Sequence, residues 1–313
     1  MFEKLKTLIF EGREPSGNQQ DWQPHPALRI SYKIWIALFA VIKVVLGAVV
    51  TVVLICGVCG FVFAGILGDY LEEDVIPNVS FYEEDFSLDQ TSFIYYVDKN
   101  GEIQEYEKIN TSTDRQWATL DEIPDSLIHA AIAIEDQRFY EHQGVDWITT
   151  VKACANMFFG GSDTFGGSTI TQQLIKNTLL SSEQSYKRKI QEAYLALQLE
   201  TTYSKDEILE CYLNTIWLGE SYYGVQTAAE GYFGKQLHEL TLRECAILAG
   251  TCNSPYYYTP RRNYYTRQKE GVDYPAITNN RTDYVLRCMY ENQFITWEQY
   301  QEALDPSTAH VLE

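Results

Sequence analysis

The sequence predicts a mainly α fold, preceded by one transmembrane helix and a short β-hairpin. Three observations carry that expectation. Val44 to Leu67 is a run of 24 residues without a charge, and the apolar stretch reaches back to Ile34 with only Lys43 interrupting it. Residues 92–109 alternate around Asn100-Gly101, a dipeptide that tight hairpin turns favour. From Leu120 almost to the end, apolar residues recur at helical spacing, punctuated by helix-start signals.

Residues 1–33 are polar and contain Gly, Pro and Gln, as a flexible cytoplasmic tail would. Residues 34–67 form the anchor. Roughly 20 apolar residues cross a bilayer core, and this run is too long for the core of a signal peptide. Arg29, Lys33 and Lys43 lie on the N-terminal side, whereas Asp69, Glu72, Glu73 and Asp74 follow, with no Lys or Arg until Lys99. The positive-inside rule then puts the N-terminus in the cytoplasm and the remainder outside. Phe63-Ala64-Gly65 is faintly like a cleavage sequence; an uncleaved anchor is preferred.

Residues 68–119 hold an acidic tether and the hairpin, with Phe93, Tyr95 and Val97 on one side of it. Residues 120–305 form the main helical domain. Pro124 suits a first helical turn. Ser204-x-x-Glu207, Thr241-x-x-Glu244 and Thr296-x-x-Gln299 read as capping boxes, in which two side chains satisfy each other's backbone N–H groups. Residues 251–280, rich in Tyr, Pro, Asn and Arg, read as a long irregular crossing before a final helical pair, and residues 306–313 as a tail.

Charge narrows the function classes. Residues 1–68 hold six of the chain's 24 Lys and Arg and four of its 43 Asp and Glu, which leaves 18 basic and 39 acidic residues, a net −21, for the rest. Such a domain repels nucleic acid, so any anion site in it must be local. The seven cysteines show neither a disulfide framework nor zinc spacing: Cys56 and Cys59 lie in the anchor, and Cys211, Cys245 and Cys288 sit in helical patterns as small buried hydrophobes.

Three stretches carry candidate chemistry. Residues 131–144 run apolar until they drop onto Glu135 and Asp136; a carboxylate at such a boundary is partly desolvated, which raises its pKa toward that of a useful base. Arg138 equally fits a structural ion pair, and Phe139 and His142, at i and i+3, equally fit packing of the helix end. In the second stretch Gly166-Gly167 leads into a helix with Ser168 as N-cap, and Thr169, Gln173 and Lys176 share one face. In the third, Arg188 and Glu192 are i, i+4 and Lys189 is i, i+3 from Glu192. A surface ion pair accounts for these; so does a diphosphate site, since Lys176, Arg188 and Lys189 concentrate cations within an acidic domain. Two later runs, around Glu210-x-Tyr212-Leu213-Asn214 and around Glu244 to Gly250, read as scaffold, with Glu210 in a buried network and Glu244 as a cap.

Taken together, these five runs resemble the peptidoglycan glycosyltransferases, glycosyltransferase family 51, which comprise the polymerase modules of class A penicillin-binding proteins and the monofunctional transglycosylases. The motifs stand here as Glu135-Asp136-x-x-Phe139-x-x-His142-x-Gly144, then Gly166-x-Ser168-Thr169-Ile170-Thr171-Gln172-Gln173-x-x-Lys176-Asn177, then Arg188-Lys189-x-x-Glu192, with the Tyr212-Leu213-Asn214 and Leu248-Ala249-Gly250 blocks after them. The resemblance covers roughly residues 90–305 and departs from the family only at Asp163-Thr164-Phe165 and Thr251-Cys252-Asn253.

The resemblance implies a lysozyme-like large lobe with a small membrane-proximal jaw lobe. It implies that Glu135 is the general base in an inverting transfer that polymerises lipid II into β-1,4-linked glycan strands and releases undecaprenyl diphosphate. Lys176, Arg188 and Lys189 would neutralise the leaving diphosphate. Glu192 would assist there and bind a divalent cation, magnesium or manganese. Ser168, Thr169, Gln173 and Asn177 would contact substrate oxygens, and Asp136, Phe139 and His142 would shape the donor side. The partners implied are lipid II, the lipid-linked glycan strand, the bacterial cell membrane and other wall-synthesis proteins. Residues 147–157 fit either a core helix or a mobile interfacial flap, and Met157-Phe158-Phe159 favours the interface.

Two other functions weigh against this one: a lysozyme-like muramidase, which has no diphosphate to hold, and a non-catalytic scaffold, in which Glu135 or Glu192 would be lost. No Ser-x-x-Lys, Ser-x-Asn and Lys-Thr-Gly set occurs, so no transpeptidase site is expected within these residues. The sequence fits both a monofunctional enzyme and part of a bifunctional one.

Overall fold

The computed structural model describes residues 26–75, 92–97, 103–109, 114–159, 166–180 and 186–313. The chain divides into two compact units, Met1–Ser80 and Phe81–Glu313.

Among the described residues the first unit holds one long helix, α1 (Pro26–Tyr70), closed by a π turn at Leu71–Val75. It starts ahead of Ile34 and runs past Leu67. Its large apolar side chains are exposed around the whole circumference, Phe61 at 83%. A helix apolar on every face suits hydrocarbon rather than water, and Ile34–Glu73 is long and apolar enough to cross a membrane. The Thr51 hydroxyl donates to the Gly47 carbonyl at 2.9 Å, so it needs no partner from solvent.

The second unit opens with the antiparallel hairpin of β1 (Ser92–Val97) and β2 (Ile103–Ile109), whose register shifts between Ile94 and Tyr95. The Asn100-Gly101 turn and the face assigned to Phe93, Tyr95 and Val97 lie outside the described residues. Next, β3 (Asp114–Arg115) pairs in parallel with β4 (Tyr222–Tyr223). The segment after β3 is held from a distance. Asn214 clasps Ala118 by both its N–H and its carbonyl, each at 2.8 Å, and Glu210 accepts from Trp117 Nε1 and Leu120 N. Glu210 is thus a network residue, as expected.

Helices dominate from there on. One layer packs α2 (Asp125–Glu135), α8 (Leu242–Thr251) and α10 (Tyr274–Glu291) around Ala130, Ala133, Ala246, Ala249, Val285, Leu286 and Met289. Alanines on α2 and α8 let those axes approach, and removal of this apolar surface from water drives the packing. A second layer joins α4 (Ile170–Thr178), α5 (Tyr186–Thr202) and α6 (Lys205–Thr215). Glu200 ties the three together, accepting from Thr171 Oγ1 at 2.6 Å and Lys205 Nζ at 2.8 Å. Between these runs lie α3 (Trp147–Phe159) and α7 (Val225–Phe233).

All three expected capping boxes form, at Ser204, Thr241 and Thr296. Pro124 sits one residue earlier than expected, as the N-cap of α2. The crossing over residues 251–280 is more regular than its composition implies: α9 (Pro255–Tyr258), a π turn at Arg262–Thr266 and the start of α10 fill it. A final helix, α11 (Trp297–Ala303), follows, and the last residues return to the core, where Leu312 N donates to the Tyr232 carbonyl at 2.8 Å.

Candidate active site

Helix α2 ends at Glu135 because Asp136 leaves helical geometry, at φ −159° and ψ 77°. The two adjacent carboxylates then part company. Asp136 turns inward, where His142 Nε2 donates to both its oxygens at 3.1 and 2.9 Å and Ile170 N donates to Oδ2 at 3.0 Å. Glu135 faces a cleft. Its Oε2 accepts from Gln173 Nε2 at 2.8 Å. Its Oε1 is buried and takes no hydrogen bond among the described residues. Burial pushes the Glu135 carboxyl above its ordinary range; the Gln173 hydrogen bond and the charges of Arg281 and Lys176 pull the other way, and Asp136 adds to the upward push.

The amide of Gln173 is itself oriented. The Tyr212 hydroxyl from α6 donates to Gln173 Oε1 at 3.4 Å, which leaves Nε2 for Glu135. Two cavities, of about 280 and 190 Å³, meet at Glu135, Gly166 and Ser168. The larger runs toward Arg138, Thr149, Lys152 and Asn156; the smaller is bounded by Gln173, Lys176, Cys252, Asn253, Arg281 and Tyr284.

The α4 N-cap is Thr169, not Ser168. Thr169 has the extended backbone a cap needs (φ −77°, ψ 165°), accepts from Gln172 N, and donates to the Gly144 carbonyl at 2.6 Å. It is buried and lines the larger cavity, whereas Gln173 and Lys176 line the smaller. Ser168 instead accepts from Lys189 Nζ at 2.7 Å. Lys189 also bonds Glu192, whose side chain is 2% exposed. The third motif thus meets the second through Ser168, at the rim of both cavities.

Of the remaining expected site residues, Lys176 is exposed and lines the smaller cavity, while Asn177 and Arg188 border neither cavity. Phe139 and His142 are buried beneath the site; Phe139 is fully enclosed, with the Lys205 ammonium 4.4 Å from its ring centre. Arg138 pairs with Glu141 and Asp146, the structural alternative for that residue. On α3, Trp147, Ile148 and Val151 are half or more exposed; the side chains of Met157, Phe158 and Phe159 lie outside the described residues.

Among the described residues no three His, Cys, Asp or Glu side chains come together in one cluster, and the Glu192 carboxylate faces the Lys189 ammonium.

Arg281 and Tyr284 of α10, and Cys252 and Asn253 just past α8, were not expected at the site. Arg281 did leave a signal. It occupies a position on the stripe Thr278, Thr282, Val285 and Met289, which is otherwise buried, and a charge on a core-facing stripe calls for a partner.

Comparison with known proteins gives consistent matches. The family model described as Transglycosylase matches residues 100–290. A penicillin-binding protein 1A of Clostridium botulinum (strain Langeland) is 39% identical over 267 residues, covering 84% of this chain and 30% of that protein. A penicillin-binding protein 1A of Clostridium perfringens (strain 13) is 44% identical over 223 residues, covering 70% and 31%. The chain therefore spans less than a third of the length of these relatives. The crystal structure of penicillin-binding protein 1A from Haemophilus influenzae covers 72% of this chain and 22% of that one at 22% identity, with a TM-score of 0.38.

Proposed function

The chain belongs to the transglycosylase family, and from that premise we propose that it is a peptidoglycan glycosyltransferase, which polymerises lipid II by inverting transfer and releases undecaprenyl diphosphate. The observation that carries this is the state of Glu135. Its carboxylate is desolvated and anchored through one oxygen, and the other oxygen is unbonded where two cavities meet. A general base between two sugar substrates needs that disposition.

Glu135 takes the proton of the acceptor's 4-hydroxyl. The freed oxygen pair forms the new bond to C1 of the donor strand's reducing-end sugar. The bond from C1 to the diphosphate oxygen breaks on the opposite face, and its electron pair leaves with the diphosphate. Lys176 meets that charge as an exposed cation on the smaller cavity, Lys189 adds its charge at the Ser168 rim, and Arg188 adds to the positive field. Glu192 holds Lys189 at the Ser168 rim. Asp136 fixes the end of α2 against the start of α4, and Thr169 ties that start to the Gly144 carbonyl, so that Glu135 and Gln173 stay in register.

Both substrates carry a lipid, and α1 suits an anchor that keeps the domain beside it, N-terminus inside. The exposed Trp147, Ile148 and Val151 fit a face that dips into the membrane interface.

The test is incubation of the detergent-solubilised full chain with labelled lipid II. Polymer is expected from the wild type and none from Glu135→Gln. Undiminished polymer from Glu135→Gln would remove Glu135 from its role, and short saccharides released from finished glycan would point to a hydrolase.

A further inference from the structure

We infer that Arg281 is a positioning residue for this reaction: it keeps the Glu135 carboxylate ionised while leaving unbonded the oxygen that must take the proton. The inference rests on Glu135 being the base. Arg281 Nη2 stands 3.9 Å from Glu135 Oε1. That is beyond hydrogen-bond reach, yet close enough for a strong charge–charge interaction where water is scarce. The side chains are 15% and 8% exposed. A closer guanidinium would occupy the lone pair that accepts the acceptor's proton; a more distant one would be screened.

The separation is built in by the surroundings of Arg281. Its Nε donates to the Gly250 carbonyl at 3.2 Å, and its guanidinium lies 5.4 Å from the ring centre of Tyr258 and 5.7 Å from that of Tyr284. Gly250 makes room for the stem, since a Cβ there would come within 3.2 Å of Arg281 Cγ. Three elements thus grip a cation beside the candidate base, and a surface arginine is not held in this way.

The charged and titratable groups that act most on Glu135 enter the balance; Arg138, Asp146 and Lys152 also line the larger cavity it borders, and Tyr284 the smaller. Asp136 comes from the end of its own helix, Lys176 from α4, Tyr212 from α6, Cys252 from the end of α8 and Arg281 from α10. Burial pushes Tyr212 and Cys252 up, so both are neutral near pH 7 and contribute no charge. Two cations remain to offset burial and Asp136. Lys176 is exposed and faces the leaving diphosphate, whose negative charge consumes its influence once the donor binds. Arg281 borders the same cavity but is enclosed by Gly250, Tyr258 and Tyr284 and stands against Glu135 itself, so its influence survives donor binding.

The test uses the full chain in detergent with Arg281→Gln, Arg281→Met and Arg281→Lys, each with a thermal melt; two neutral variants guard against one that fails to fold. Glu135 is titrated by infrared difference between each protein and its Glu135→Gln counterpart, which needs no turnover, and the pH profile of kcat/KM is measured on labelled lipid II. The midpoint of Glu135 should move to higher pH in the Gln and Met variants and return toward wild type in the Lys variant. In the neutral variants kcat/KM should fall about tenfold on the acid side and recover as pH rises, with KM unchanged. An unmoved midpoint in a variant that melts normally overturns the inference. So does a loss of activity uniform across pH with a lowered melting temperature, which would make Arg281 a packing residue. Should the wild type make no polymer, the proposed function fails, and the titration still decides whether Arg281 governs Glu135.

Discussion

Asp136 Oδ2 accepts the backbone N–H of Ile170 at 3.0 Å, so the residue after Glu135 is bonded directly to the first turn of the helix that carries Gln173 and Lys176. The paired acids therefore divide the work: one aligns two helices, and the other is left open for chemistry. Asp136→Ala strands the Ile170 N–H and His142 Nε2 in a buried place and should lower stability by about 2–3 kcal/mol, with loss of polymerisation. Asp136→Asn keeps an acceptor for Ile170 and should do less on both counts. Urea unfolding alongside the lipid II assay measures this.

Glu135→Gln should lower kcat roughly 100- to 10,000-fold and at the same time stabilise the fold at neutral pH. The sign follows from burial, which raises the folded carboxyl above its ordinary 4.5. The folded state then holds its proton more tightly than the unfolded state, so stability falls as pH rises from that value through the folded one. The Gln variant carries no such charge. Its melting temperature should exceed the wild type's at pH 7, and the gap should close below pH 4.5.

Lys176 and Lys189 should separate cleanly. Lys176 is exposed, so Lys176→Gln should leave the melt within about 0.5 kcal/mol of wild type while lowering kcat/KM roughly 100-fold. Lys189→Gln strips the partner from the buried Glu192 and should cost about 1–3 kcal/mol as well as activity. Activity intact in Lys176→Gln would return that residue to the role of a plain surface charge.

Gly144 has φ +84°, and a Cβ there would stand 2.5 Å from the Ala196 carbonyl oxygen on α5. Its own carbonyl accepts from Thr169. Gly144→Ala should destabilise by roughly 2–4 kcal/mol through strain and collision together. A melting curve overlying the wild type's would show that α5 does not pack there.

Features set by residues a few positions apart are largely legible in the sequence, and those set by distant partners are not. The boxes at Ser204, Thr241 and Thr296 depend on residues three apart, and all form. Glu135 stood out because the apolar run ends on it. Thr169 and Ser168 are both good caps by type, and only the Gly144 carbonyl, 25 residues away, selects between them. Helical spacing revealed α10 but not which neighbour its face meets, so the approach of Arg281 to Glu135 was illegible. The Tyr- and Arg-rich crossing looked irregular because its order comes from side chains gripping backbone, as where Asn263 Nδ2 donates to the Tyr257 carbonyl at 2.9 Å.

The clasp at the start of the second unit sets a timetable for biosynthesis. Gln116 N donates to Thr227 Oγ1, 111 residues further along the chain. At the pace of a ribosome, roughly 5–20 residues per second, the segment after β3 waits on the order of 5–20 s for its partner. Arg281 emerges later still. Glu135, the proposed base, is thus synthesised well before the cation we infer steadies its charge, and the proposed centre is complete only when the C-terminal helices dock.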